Sequence, residues 1–131
     1  MERIAISTDE APAAIGAYSQ AIKTGGIVYV SGQIGLDPVT MELQTNDFQS
    51  EIQQVFRNLE SVCRACDGSL SSVVKTIVFL TDLELFEELN GAFTEKFKPP
   101  FPARSVIGVN ELPRGARVEI EAILSIPRAP S

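Results

Sequence analysis

Pro102-Ala103-Arg104-Ser105, then Leu112-Pro113-Arg114-Gly115, then Val118-Glu119-Ile120-Glu121-Ala122 place the arginine Arg104 and a pair of glutamates around a short turn. Arginine is permanently charged, and its planar fork of donors grips a carboxylate with two parallel hydrogen bonds. A glutamate on a strand can hold a water and take its proton. Together these residue types describe a small site for an anionic substrate that reacts with water. The chain has no histidine, which removes Ser-His-Asp and Cys-His mechanisms and any His-ligated metal.

The remaining composition narrows the field further. A length of 131 residues, with 44% hydrophobic and 21% charged residues, is that of one globular domain spanning 1–131 rather than a disordered chain. The net charge is −6 and no block of Lys or Arg stands out, which weighs against a nucleic-acid partner. Apolar runs are too short to span a bilayer. The start, Met1-Glu2-Arg3-Ile4-Ala5, lacks the apolar core of a signal peptide, so a cytoplasmic location is expected. Cys63 and Cys66 form a C-x-x-C late in a predicted helix, on its apolar side. They read as buried small hydrophobes rather than a redox pair. The further Cys or His ligands that a zinc site needs are missing, so no metal is expected.

The elements that must position the site follow from periodicity. Ile27-Val28-Tyr29-Val30, opened by Gly25-Gly26 and closed by Gly32, forms a hairpin with a strand ending at Lys23-Thr24. A loop runs from Leu36 to about Thr45. Asn46 or Asp47 caps a helix whose apolar stripe is Phe48, Ile52, Val55, Phe56, Leu59, Val62, Cys63 and Cys66, with Gly68 as its stop. Val73 to Thr81 reads as a mostly buried strand. Asp82 caps a second helix with the stripe Phe86, Leu89, Phe93 and Phe97, ended by Pro99-Pro100. Strands over Arg104–Val109 and Arg117–Ile126 follow. In the latter, Val118, Ile120, Ala122, Leu124 and Ile126 share one face, opposite Glu119 and Glu121. The order is β-β-helix-β-helix-β-β, with a short strand near Ile4. An α+β fold results: one mixed sheet of about six strands with two helices on one face. The other face must also be covered, and an oligomer built face to face would cover it.

The chain resembles the RidA/YjgF family of reactive-intermediate deaminases. The matching motifs run in order from Ala11 to Ala122. They are Ala11-Pro12-Ala13-Ala14-Ile15-Gly16-Ala17-Tyr18-Ser19-Gln20, Ser31-Gly32-Gln33-Ile34-Gly35, Val74-Lys75-Thr76 with Asp82-Leu83, then Asn90, Phe101-Pro102-Ala103-Arg104-Ser105, Leu112-Pro113 and Glu119-Ile120-Glu121-Ala122. Each run is weak alone; their shared order carries the resemblance. It implies a chorismate-mutase-like homotrimer in which three sheets form a central barrel and the active sites lie in clefts between subunits. It also implies hydrolysis of enamine and imine intermediates, such as 2-aminoacrylate and 2-aminocrotonate from pyridoxal-phosphate dehydratases, to 2-oxo acids and ammonia. No cofactor is implied.

Residue by residue, the resemblance implies that Arg104 binds the substrate carboxylate and that Glu119 orients the water. Tyr18 would close the pocket, Ser31 would form its floor, and Gly32 would let the backbone approach the ligand. Asn90 is a weaker substrate contact; its other reading is local helix packing. Many members carry Cys directly after Arg-Ser, where this chain has Val106. A thiol role is absent there, but valine still supplies main-chain N–H and C=O groups to substrate or water. Three other functions compete. One is small-carboxylate binding without turnover, another a translation inhibitor or ribonuclease, and the last a chaperone-like role for which no feature speaks. Carrying both Arg104 and Glu119 favours turnover, because capture alone needs only the arginine.

Overall fold

The alternation and helical stripes of the sequence become six strands and two helices in the computed structural model, which describes residues 2–127. In chain order these are β1 (Ile4–Ile6), β2 (Ala21–Thr24), β3 (Ile27–Gln33), α1 (Phe48–Ala65), β4 (Val73–Leu80), α2 (Phe86–Lys96), β5 (Ala103–Gly108) and β6 (Val118–Ser125). They form one mixed sheet in the order β1-β2-β3-β6-β4-β5. Only β4 and β5 run parallel, because α2 crosses over between them and returns the chain to the same end. Gly25, with φ +60°, turns the β2–β3 hairpin in a conformation that lacks a Cβ penalty only in glycine.

Helix α1 starts where Asp47 accepts the Ser50 N–H. Its predicted apolar stripe is buried against the sheet, and α1 packs on β3, β6 and α2. Phe56 of α1 meets Phe93 of α2 edge-on at 5.7 Å and the neighbouring Phe97 at 5.9 Å between ring centroids, a geometry that suits aromatic quadrupoles. Cys63 and Cys66 are both free and buried. Burial pushes the Cys63 thiol up to about 12, so it stays protonated and inert near neutral pH. Among the described residues, no helix is long and apolar enough to cross a membrane.

Three local expectations need correction. Gly32 does not close its strand: β3 continues to Gln33 through a register irregularity between Val30 and Gln33 against β6. An extra residue here bends the strand and re-aims side chains. Asp82 caps a short 3-10 turn, Leu83–Leu85, by accepting the Glu84 N–H; that turn leads into α2, which has no side-chain cap of its own. Phe97 lies just past the last turn of α2, yet remains buried.

A second stripe of α1 is polar and buried. Glu51, Gln54, Asn58 and Ser61 are almost fully enclosed. Asn58 donates to the Ile34 and Leu36 carbonyls. Glu51 accepts the Arg117 backbone N–H and Nε–H, each at 2.7 Å. Helix α1 therefore clamps the segment after β3 and the start of β6. Only Glu51 is enclosed; the Arg117 side chain is 36% exposed, so water can solvate it once its partner is gone and the main loss is the two hydrogen bonds. Glu51→Ala should cost about 2 kcal/mol, read as a lowered denaturation midpoint, and Glu51→Gln should cost less because it keeps one acceptor.

The opposite sheet face has no helix. Register places Tyr29, Ile123, Ile77, Glu121, Phe79, Glu119, Ser105 and Ile107 there. Tyr29 is 51% and Ile107 43% exposed, so a sheet face of mixed apolar and charged residues, Lys75 among them, is left uncovered by the described residues.

Candidate active site

Alternation on β6 sends Val118 and Ile120 into the core and Glu119 to the open face. Its cross-strand neighbour is the irregular end of β3. A Cβ built at Gly32 would lie 2.8 Å from Glu119 Cδ, so the missing side chain of Gly32 is the space the Glu119 carboxyl occupies. Burial, with a smaller push from Glu121, raises the Glu119 pKa above the ordinary glutamate value. Among the described residues, no salt bridge engages this carboxylate.

Glu119, Gly32, Ser31 and Tyr18 line one cleft of about 390 Å³. The Tyr18 hydroxyl oxygen accepts the Ile15 N–H at 3.3 Å, leaving its own hydrogen free to donate. Ser31 Oγ donates to the Ser19 carbonyl at 2.6 Å, and its lone pairs can still accept. The loop carrying Tyr18 is held by Gln20. That side-chain amide accepts the Thr8 N–H and donates to the carbonyls of Thr8, Ala11 and Pro12. Four bonds from one buried glutamine fix a segment with no regular structure of its own.

Arg104 is elsewhere. It pairs in register with Thr76, which pairs with Ala122, and both neighbours face the core. The Arg104 side chain therefore lies on the helix side of the sheet, opposite Glu119. Its guanidinium rests 4.9 Å from the Phe93 ring centre and 5.4 Å from that of Phe86, a cation–π shelf that restricts its rotamers. With Asn90, Phe93, Thr94, Phe101 and Pro102 it lines a second cleft of about 380 Å³. Val106, two residues along the same face, packs against the core and lines neither cleft. Because β5 is the edge strand, main-chain groups on its outer side have no strand partner among the described residues.

Within one chain these residues form two separate groups, Tyr18-Ser31-Gly32-Glu119 and Asn90-Arg104, because strand alternation and the β4–β5 register put the two charges on opposite faces. Gln20 was missed as a positioning residue, although it sits inside a quoted motif; its four bonds depend on tertiary contacts. Arg114 was missed as a cleft-lining residue. Among the described residues, no group of three or more Cys, Asp or Glu is placed to hold a metal.

Comparison with known proteins agrees with this architecture. The family described as Endoribonuclease L-PSP matches residues 8–126. A 2-iminobutanoate/2-iminopropanoate deaminase of Dermatophagoides farinae is 47% identical over 121 residues, covering 92% of this chain and 94% of the relative. A RutC family protein of Sinorhizobium fredii is 46% identical, covering 92% and 96%. The crystal structure of RidA from an Antarctic Psychrobacter superposes with a TM-score of 0.91 at 52% identity, covering 95% of this chain and 100% of that one. Matching nearly end to end in sequence and in fold, the chain belongs to the RidA/YjgF family.

Proposed function

We propose that this protein hydrolyses short 2-imino acids, the tautomers of enamines released by pyridoxal-phosphate dehydratases, to 2-oxo acids and ammonia. The observation that carries this reading is Glu119: a half-buried carboxylate without an ion-pair partner among the described residues, set over Gly32 in a cleft with Tyr18 and Ser31. The deaminase name of close relatives supports the substrate class.

The site is completed between copies. Arg104 of a neighbouring subunit reaches the Glu119 cleft, and the uncovered sheet face, with Tyr29, Ile77 and Ile123, becomes the inside of a trimeric barrel. Burying its apolar residues drives association. The guanidinium binds the substrate carboxylate bidentately and so fixes the imine carbon. Glu119 takes a proton from a water whose oxygen attacks C2 of the protonated imine, giving a carbinolamine. Glu119 passes that proton to the carbinolamine nitrogen, and ammonia leaves as the C–N bond breaks and the hydroxyl proton returns to Glu119, leaving the 2-oxo acid. Its pKa, raised by burial and by Glu121, makes Glu119 a stronger base than an ordinary carboxylate. Tyr18 donates to the substrate, Asn90 lines the arginine side, and main-chain groups near Val106 hold substrate or water. No cofactor enters.

Gly32→Ala provides a local check. The added methyl displaces the Glu119 carboxyl, and misplacing a reacting group by about 1 Å costs about 10²-fold in rate. Since Gly32 is exposed, the melting temperature should change little.

The direct test generates 2-aminocrotonate and 2-aminoacrylate with a threonine/serine dehydratase and follows ammonia or 2-oxo acid release. Acceleration over the spontaneous rate, lost in Arg104→Ala, supports the reading. No acceleration by folded protein, together with 2-oxobutanoate binding, would instead favour carboxylate binding without turnover. A nucleolytic reading has one support, the description of the matching family; the net charge of −6 opposes a polyanion, and RNA cleavage by the same preparation would favour it.

A further inference from the structure

Arg114 takes no part in the reaction proposed above, yet it lines the same cleft as Glu119. Its backbone is left-handed, with φ +58° and ψ 20°. Met41, also a lining residue, is left-handed too, with φ +59°. The two are joined: Arg114 Nη1 donates to the Met41 carbonyl at 3.0 Å. Non-glycine residues in this region are strained and persist only where their surroundings hold them. Here two such residues, 73 positions apart in sequence, meet in the lining of one cleft.

The guanidinium carries five N–H donors, and only this one hydrogen bond engages them among the described residues. No carboxylate pairs with it there; the salt bridges belong to Arg64, Lys96 and Arg117. In a chain of net charge −6, an unpaired arginine lining a cleft attracts an anion. Ile15, Ile34, Leu36, Met41 and Pro113 supply the apolar part of the cleft lining. The cleft of about 390 Å³ is in the range that takes drug-sized ligands, whereas 2-iminobutanoate has only about seven non-hydrogen atoms. Space, an apolar lining and a distal cation remain unused by that substrate.

We infer that the cleft accepts 2-imino acids with a second, distal carboxylate, and that Arg114 is the specificity-determining residue that reads it. The inference rests on the imine-hydrolase reading. The α-carboxylate lies on Arg104 of the neighbouring copy, the imine carbon by Glu119, the methylene chain on the apolar lining and the distal carboxylate on Arg114. Such imines form by two-electron oxidation of dicarboxylic α-amino acids, so an amino-acid oxidase or dehydrogenase reaction would supply them.

The test compares 2-iminoglutarate with 2-iminobutanoate, each generated in place by an amino-acid oxidase, for the full-length protein, Arg114→Gln and Arg114→Lys. Arg114→Gln should lower kcat/KM for 2-iminoglutarate roughly ten- to a hundredfold, the weight of a charge-assisted hydrogen bond. It should change 2-iminobutanoate less than about twofold, and Arg114→Lys should recover part of the loss. Equal losses on both substrates, or none on 2-iminoglutarate, overturn the proposal. Hydrolysis of 2-iminobutanoate alone by the unsubstituted protein overturns this inference and leaves the deaminase reading standing. Failure on both imines overturns the deaminase reading. Calorimetric titration with 2-oxoglutarate and 2-oxobutanoate then decides the role of Arg114 without turnover. A preference for the dicarboxylate that Arg114→Gln removes supports it, and equal affinities overturn it.

Discussion

Arg104→Ala should lower kcat/KM for 2-iminobutanoate by about 10²- to 10³-fold, and mixing it with Glu119→Gln protein should restore activity that neither variant has alone. The first effect follows from losing a bidentate, charge-assisted grip on the α-carboxylate together with the positioning it provides. Arg104→Lys should recover little, since an ammonium lacks the planar fork and sits less well on the Phe86 and Phe93 rings. The second effect follows from topology. Arg104 and Glu119 lie on opposite faces of one sheet, so the proposed cleft draws one residue from each of two copies. After denaturation and joint refolding, some mixed assemblies carry an unaltered Arg104 facing an unaltered Glu119. Activity of the mixture is read against each variant refolded alone. No recovery in well-folded mixed oligomers would place both groups in one chain's site and defeat the shared-cleft reading.

Glu119→Gln should lower kcat by about 10²- to 10⁴-fold, the weight of a general base, and should also raise thermal stability near neutral pH. Burial and Glu121 disfavour the charged form. The folded protein therefore holds this proton more tightly than the unfolded chain. The associated stabilisation is complete below the unfolded pKa and is lost as pH rises through the raised folded value. Glutamine has no such titration, so the variant should melt higher at neutral pH and the difference should vanish on acidification. In the unaltered protein, kcat/KM should fall with decreasing pH on a limb displaced upward from an ordinary glutamate, and Glu119→Gln should lack that limb. A variant that loses activity but melts lower at neutral pH would contradict a half-buried carboxylate whose charged form is disfavoured.

Effects at Gly32 and Glu51 separate two kinds of support. Gly32 acts by absence, leaving room for the Glu119 carboxyl. Glu51 acts at a distance, holding the main chain two residues before Glu119. Gly32→Ala should spare stability, whereas Glu51→Ala should reduce it first.

The sequence by itself determined the periodic elements and the residue types available for chemistry. The α1 stripe from Phe48 to Cys63 and the β6 alternation are local patterns, because burying one face imposes a period of 3.6 or 2. Lack of histidine, the arginine and the glutamates were equally legible. Tertiary structure alone decided which of these groups meet. The order β3-β6-β4-β5 and the register of Arg104 with Thr76 are pairings between distant segments, and they part Arg104 from Glu119. The same holds for the polar stripe of α1. Glu51 and Asn58 look like solvated helix residues until the chain brings Arg117 and the Ile34 and Leu36 carbonyls to them. Hydrogen-bond partners and facing charges depend on contacts far apart in sequence, and no local period records them.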